Sequence, residues 1–128
     1  MYKGLVFLLF ITLLSCSKEE PKFGRKEMHD KLKSVYPKVE FIIPSDISKG
    51  IQCSDYGPGC LGGLTIKLKH MEVIVVEFQS LSHARAEAKR IGQWYARNFL
   101  IDDIMGEPIL EKFFAKHFEA KPGVIFKD

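Results

Sequence analysis

The side chains with the most reactive chemistry in this sequence are three cysteines, Cys16, Cys53 and Cys60. A thiol can carry a covalent group, form a disulfide, bind a metal ion or act as a nucleophile. Cys16 closes an apolar run, whereas Cys53 and Cys60 bracket the segment CSDYGPGC. The gap between Cys53 and Cys60 is not that of a CxxC knuckle, and no histidine lies near it in the sequence. The spacing therefore gives little support to a metal site.

A recognisable catalytic set is missing from the sequence. The four histidines are far apart and form no H-E-x-x-H pair: His29, His70, His83 and His117. There is no G-x-S-x-G nucleophile elbow. Asp102, Asp103 and Glu107 are close together but lack the pattern of an EF-hand, so we interpret them as solvated capping charges. We predict no enzyme, no metal site and no cofactor; a site assembled from distant residues is the remaining alternative.

The N-terminus has the layout of an export signal. One positive charge, Lys3, precedes an apolar run over residues 4–14. A bilayer crossing needs about 20 apolar residues, so this run is too short to span a membrane. The sequence Leu13-Leu14-Ser15-Cys16 then resembles the lipobox of bacterial lipoproteins. The alternative is a buried N-terminal helix with an incidental cysteine.

The resemblance to lipoproteins implies a covalent anchor. It implies that residues 1–15 are a cleaved signal peptide and that the Cys16 thiol receives a diacylglycerol, with a further acyl chain such as palmitate on the new N-terminus. Residues 16–24 are then a polar tether, and acyl chains of this kind hold a protein on a membrane. In several Gram-negative bacteria, an aspartate directly after the lipidated cysteine retains a lipoprotein in the inner membrane. This chain has Ser17 at that position, which favours the outer membrane. The expected location is therefore the bacterial cell envelope, facing the periplasm or the cell exterior.

Export also bears on the remaining two cysteines, because it carries the chain into an oxidising compartment. Once Cys16 holds lipid, Cys53 and Cys60 are left to pair, and the glycines and proline between them allow a sharp turn. The loop-entropy model gives such a disulfide roughly 2–3 kcal/mol of stabilisation. A metal site is the competing interpretation of this pair.

Three residues are candidates for a binding surface. Tyr56 is the aromatic residue of the constrained cysteine loop, and functional residues concentrate on loops held by rigid scaffolds. Trp94 and Arg97 belong to QWYARNF, and both types are enriched at protein interfaces. The alternatives are a structural connection for the loop and core packing for the aromatic residues of QWYARNF.

Hydrophobic periodicity predicts a small α+β domain over residues 25–128. Steps of three and four predict helices over 25–35, 82–99 and 108–118. Short β-prone runs predict strands over 39–43, 64–69, 72–78 and 124–126, of which 72–78 is apolar enough to be buried on both faces. We expect an antiparallel sheet of about four strands with two or three helices packed on one face.

The composition limits the function further. The chain has 128 residues and a formal net charge of +3, which is too small to indicate nucleic-acid binding. We predict a membrane-anchored envelope lipoprotein that acts as a binding or assembly module. Its expected partners are the membrane lipid, through acylated Cys16, and an envelope protein. The alternative is a module that binds peptidoglycan or another glycan through the same aromatic residues.

Overall fold

The computed structural model describes residues 20–124, so the predicted signal peptide, Cys16 and most of the predicted strand 124–126 lie outside the described residues. The helices in this part of the chain are α1 (Arg25–Val35), α2 (Leu81–Ile91) and α3 (Pro108–Phe118). The strands are β1 (Glu40–Ile42), β2 (Cys60–Leu68), β3 (Met71–Phe78), β4 (Trp94–Ala96), β5 (Phe99–Asp102) and β6 (Lys121–Pro122). The predicted α+β class is confirmed.

The strands form one antiparallel sheet in the order β1-β2-β3-β5-β4-β6. Its centre is the β2–β3 hairpin, which was predicted from alternation in one strand and a β-branched run in the other. Lys69 and His70 form the turn with φ values of 51° and 68°, the left-handed geometry that a two-residue hairpin needs. The strands predicted over 64–69 and 72–78 left residues 70–71 for the turn, so the observed turn lies one residue earlier.

Two of the strands replace a helix that we predicted. The helix expected over 82–99 ends at Ile91, because Gly92 adopts φ 70° and its N–H closes the last turn on the Ala88 carbonyl. The chain then forms the β4–β5 hairpin, with Ala96 opposite Phe99. The sheet thus has six strands rather than about four. The apolar spacing that suggested a longer helix is satisfied instead by alternation along these short strands.

The helices lie on both faces of the sheet, which corrects the prediction of one face. The α1-side cluster joins α1 and α3 to one sheet face through side chains such as Leu32, Val73 and Phe114. The α2-side cluster joins Ala84 and Ala88 of α2 to the other face. Neighbouring residues of β3 point into opposite clusters, which agrees with the prediction that this strand is buried on both faces. Within residues 20–124, no helix is long and apolar enough to cross a bilayer.

The packed part of the chain begins before α1. Phe23, which we assigned to the tether, is buried in the α1-side cluster and meets the ring of Phe118 edge-on at 6.2 Å. Its backbone is held by Asn98, which is also buried: the Phe23 N–H donates to Asn98 Oδ1 at 2.6 Å, and Asn98 Nδ2 donates to the Phe23 carbonyl at 3.1 Å. The segment before α1 is therefore fastened to the end of the sheet.

Candidate functional site

The cysteine loop is closed by a disulfide between Cys53 and Cys60, with 5.6 Å between their Cα atoms. This confirms the predicted pairing. The loop lies over the α2 side of the sheet, and its Gly57 N–H donates to Glu87 Oε2 on α2 at 2.5 Å. It is therefore attached to the domain by contacts other than the covalent bond itself.

Tyr56 is a second attachment point for this loop. Its ring packs against the α2-side cluster, and its hydroxyl donates to Asp102 Oδ2 at 3.0 Å. Burial and the nearby Asp102 carboxylate raise the pKa of Tyr56. Burial is also the main cause of the raised pKa of Asp102. Tyr56 and Asp102 are both half-buried and are hydrogen-bonded to each other. Asp102 is therefore not the solvated capping charge that we predicted.

Glu87 completes the attachment and was not predicted. Its side chain is buried, accepts from Gly57 and also receives two hydrogen bonds from Arg90, at 2.5 and 2.8 Å. The Arg90 hydrogen bonds are the largest cause of the lowered pKa of Glu87. A signal for this role exists in the sequence: Glu87 follows Ala84 by three residues and precedes Ile91 by four, which places a carboxylate on the apolar stripe of α2.

Trp94 and Arg97 have partners on the other side of the sheet. The Trp94 indole N–H donates to Glu111 Oε2 on α3 at 3.1 Å, and the ring packs against the α1-side cluster. The Arg97 guanidinium lies 4.2 Å from the centroid of the Phe23 ring. Tyr56 belongs to the opposite face, so the structure does not bring the three predicted binding residues into one surface.

The described residues instead contain an apolar groove between α1 and the outer half of the sheet, with a volume of about 390 Å³. Apolar side chains form its inner surface: Met28, Leu32, Phe41, Leu64, Val75 and Phe99. Leu61 stands at its mouth with 48% of its surface exposed. Arg25 pairs with Glu77 at 2.7 Å on the rim, and the His29 ring stacks on Phe41 at 4.2 Å. The result is an apolar site with a charged edge.

A free strand edge adjoins the groove. β1 pairs with β2 only from Thr65 to Lys67, so the outer edge of residues 61–64 has no strand partner among residues 20–124. The register shifts at Leu61. The space that a side chain would fill is open at Gly62, whereas at Gly63 the Ile51 side chain already lies against it. Glycine in a strand marks a place where another backbone can approach closely, and an unpaired edge offers its N–H and C=O groups to an added strand.

His83 and Glu87 line a smaller pocket beside Gly57 and Pro58. No group of three or more His, Cys, Asp or Glu side chains in the described part of the chain has the geometry to hold a metal ion. His83, the histidine nearest the cysteine loop, forms a hydrogen bond of 2.6 Å between its Nδ1 and the Ser80 hydroxyl.

Comparison of the chain with protein-family models, curated proteins and solved structures gave no match.

Sequence reasoning missed the groove because its parts come from α1, β1, β2, β3 and β5, which are distant in sequence. Two local signals point to it in retrospect. Leu61 is an apolar residue directly after a disulfide cysteine, and a Gly-Gly pair then interrupts a strand. Neither signal indicates which helix would cover the neighbouring apolar surface.

Proposed function

We propose that this protein is a lipid-anchored envelope module that binds an extended segment of another envelope protein along the free edge of β2. The anchor is the acylated Cys16 implied by the lipobox, and Ser17 favours the outer membrane. The observation that carries the proposed binding activity is the apolar groove beside the unpaired edge at residues 61–64.

The edge and the groove supply the two parts of peptide recognition by strand addition. Backbone groups of an added strand hydrogen-bond to the edge, and its alternate side chains enter pockets beside the sheet. Leu61 is half-exposed at the mouth, so an apolar side chain of the partner would bury it. Arg25 and His29 at the rim provide polar contacts for the backbone or side chains that flank this apolar residue.

The disulfide supports the proposed location. Disulfides persist in oxidising compartments such as the periplasm and are rare in the cytosol. Cys53 and Cys60 are paired in a loop that Tyr56 and Glu87 hold in place. A chain exported as a lipoprotein would form this bond in its working compartment.

A photo-crosslinking amino acid at Leu61, in the full protein expressed in its own host, tests the proposed binding. The matched control is the same amino acid at Ile109, which is 51% exposed on α3. We expect a crosslink at position 61, but not at 109, to one defined segment of one envelope protein.

A synthetic peptide of that segment should protect the amides of residues 61–64 from hydrogen exchange. Leu61→Asp should weaken its binding about tenfold, as expected for losing most of one buried leucine, and Ile109→Asp should leave it unchanged. Crosslinks to glycan strands, with retention on peptidoglycan, would support the glycan alternative. No crosslink at position 61 would contradict the proposed site.

A further inference from the structure

Two isoleucines are displayed on one loop between β1 and the disulfide. Ile43 is 82% exposed and Ile47 is 90% exposed, more than the other large exposed hydrophobic residues of the described chain, Leu61 and Ile109. Single exposed apolar residues are common on protein surfaces, but neighbouring ones mark contact sites with proteins or membranes. Neither isoleucine lines the groove.

The loop that carries these isoleucines has a defined shape. The Asp46 carboxylate accepts from the Ser48 N–H at 3.0 Å, and the Lys49 N–H donates to the Asp46 carbonyl at 2.9 Å. The Ile47 carbonyl accepts from the Gly50 N–H at 3.2 Å and from the Gln52 side chain at 3.0 Å. These bonds pair several of the loop's polar groups internally, which lowers the cost of moving them to a less aqueous environment.

The loop leaves β1 beside the middle of β2, in the direction of the end of the sheet to which the N-terminal segment is tied. β1 runs antiparallel to β2, so Ile43 leaves the sheet towards the Cys60 end of β2, where β3 finishes at Phe78. Asn98 donates to the carbonyl of this same Phe78 at 3.3 Å and holds Phe23. The Glu20 carboxylate accepts from the Ser82 N–H at 3.1 Å, at the start of α2, which follows β3. The first described residues are thus tied to the end of the sheet towards which the chain runs after β1.

Cys16 is four residues before Glu20, and four extended residues span at most about 14 Å. An anchor at Cys16 therefore keeps this end of the sheet close to the bilayer. A short tether also raises the effective concentration of the loop at the membrane surface, so that weak contacts suffice for docking.

We propose that the loop of residues 43–49 docks onto the bilayer in which Cys16 is anchored, with Ile43 and Ile47 at the boundary between headgroups and acyl chains. This inference rests on the proposed function, because it needs the lipid on Cys16. Lys49 in the loop and Lys22 in the N-terminal segment are both exposed and suit anionic headgroups, whereas the Asp46 carboxylate accepts from the Ser48 N–H and would stay in the headgroup water. The domain then has a fixed orientation on the membrane rather than free rotation on its tether.

The test uses the full, processed protein purified from its native membrane and reconstituted into vesicles of phosphatidylethanolamine and phosphatidylglycerol. With Cys16 acylated and Cys53–Cys60 paired, an Ile47→Cys variant has one free thiol for an environment-sensitive fluorophore. An Ile109→Cys variant is the matched control, since Ile109 is exposed on α3 beyond the Asp102 end of β5, the opposite end of the sheet. Nitroxide lipids report the depth of each label, and intact mass reports acylation.

We expect quenching of the label at position 47 and none at position 109. A second substitution, Ile43→Ser, should lower the docked-to-undocked ratio at position 47 about tenfold, as expected for the loss of one partly buried isoleucine. Equal exposure of the two labels on an acylated protein would overturn the docking inference and leave the proposed function standing. Shielding at position 47 only after an envelope protein is added would also overturn it, in favour of a protein partner. An unacylated Cys16 would overturn the anchor and the docking together.

Discussion

Replacing Asn98 with alanine should detach the N-terminal segment from the sheet. Asn98 is only 2% exposed, and its side chain makes three hydrogen bonds, two to the Phe23 backbone and one to the Phe78 carbonyl. Alanine removes all three and leaves the buried Phe23 N–H and C=O without these partners. The backbone bond from the Phe78 N–H to the Asn98 carbonyl would remain, at 2.8 Å.

The size of the effect follows from these contacts. A buried polar group left unpaired costs about 1–3 kcal/mol, and a typical hydrogen bond contributes about 1 kcal/mol net. Partial relaxation and water entry at the chain end reduce the sum, so we expect a loss of about 3 kcal/mol in the free energy of unfolding. Asn98→Asp should be no better, because it places a carboxylate oxygen where the Nδ2 group now faces two carbonyl oxygens.

Urea unfolding and hydrogen exchange measure the two consequences separately. The free energy of unfolding should fall by about 3 kcal/mol, and the Phe23 amide should exchange much faster relative to amides in β3. Gln79→Ala, at an exposed amide side chain just after β3, is the matched control and should change stability by less than about 0.5 kcal/mol. A loss below about 1 kcal/mol for Asn98→Ala, or an unchanged exchange rate at Phe23, would refute the reasoning.

Three further predictions concern the attachment of the cysteine loop. Glu87→Gln should lower the free energy of unfolding by about 1 kcal/mol at pH 7. Because the folded-state pKa of Glu87 is lowered from 4.5, this loss is complete above pH 4.5 and should disappear as the pH falls through the folded-state pKa. A loss that grows in acid would contradict the prediction. Tyr56→Phe should raise the pKa of Asp102 further in an NMR titration, because the Tyr56 hydrogen bond now opposes the effect of burial, and an unchanged pKa would show that the bond is absent in solution. Replacing Cys53 and Cys60 together by serine should cost about 2–3 kcal/mol in chemical unfolding, and equal midpoints for the oxidised and double-serine proteins would contradict the loop-entropy estimate.

The parts of the fold that could be predicted are those encoded by local patterns. Alternating residues before Lys69 and the β-branched run after Met71 predict β2 and β3, because each residue's environment depends on its own side of a pleated strand. The helix over residues 108–118 was predicted with the observed bounds, Pro108 standing at its first position. The disulfide was predictable from a short glycine-rich loop combined with an oxidising address.

The missed elements depend on competition between equally plausible local patterns. The steps from Ala88 through Ile91 and Tyr95 to Phe99 fit a helix, yet Gly92 ends α2 and the same residues alternate across β4 and β5. The sheet face on which α2 packs, opposite to α1 and α3, was not encoded in its apolar stripe either. Contacts between residues that are distant in sequence are also hidden from local patterns. Asn98 is an example, because it holds Phe23, which is 75 residues away.

The candidate site was the least predictable part. Aromatic and cationic residue types pointed to Tyr56, Trp94 and Arg97, but each has an internal contact, with Asp102, Glu111 and Phe23 respectively. The groove depends on how α1 crosses the sheet and on β1 being shorter than β2, which are properties of the assembled domain. Residue type alone therefore does not reveal the open edge.

The intact mass of the protein extracted from its native membrane, before and after reduction, tests the central claim most directly. The account predicts a chain that begins at Cys16, carries the mass of a diacylglycerol and an acyl chain, and gains about two daltons when its disulfide is reduced. An unlipidated chain that retains residues 1–15 would contradict the proposed anchor. A lipidated chain with no mass change on reduction would instead contradict the Cys53–Cys60 bond in the native envelope.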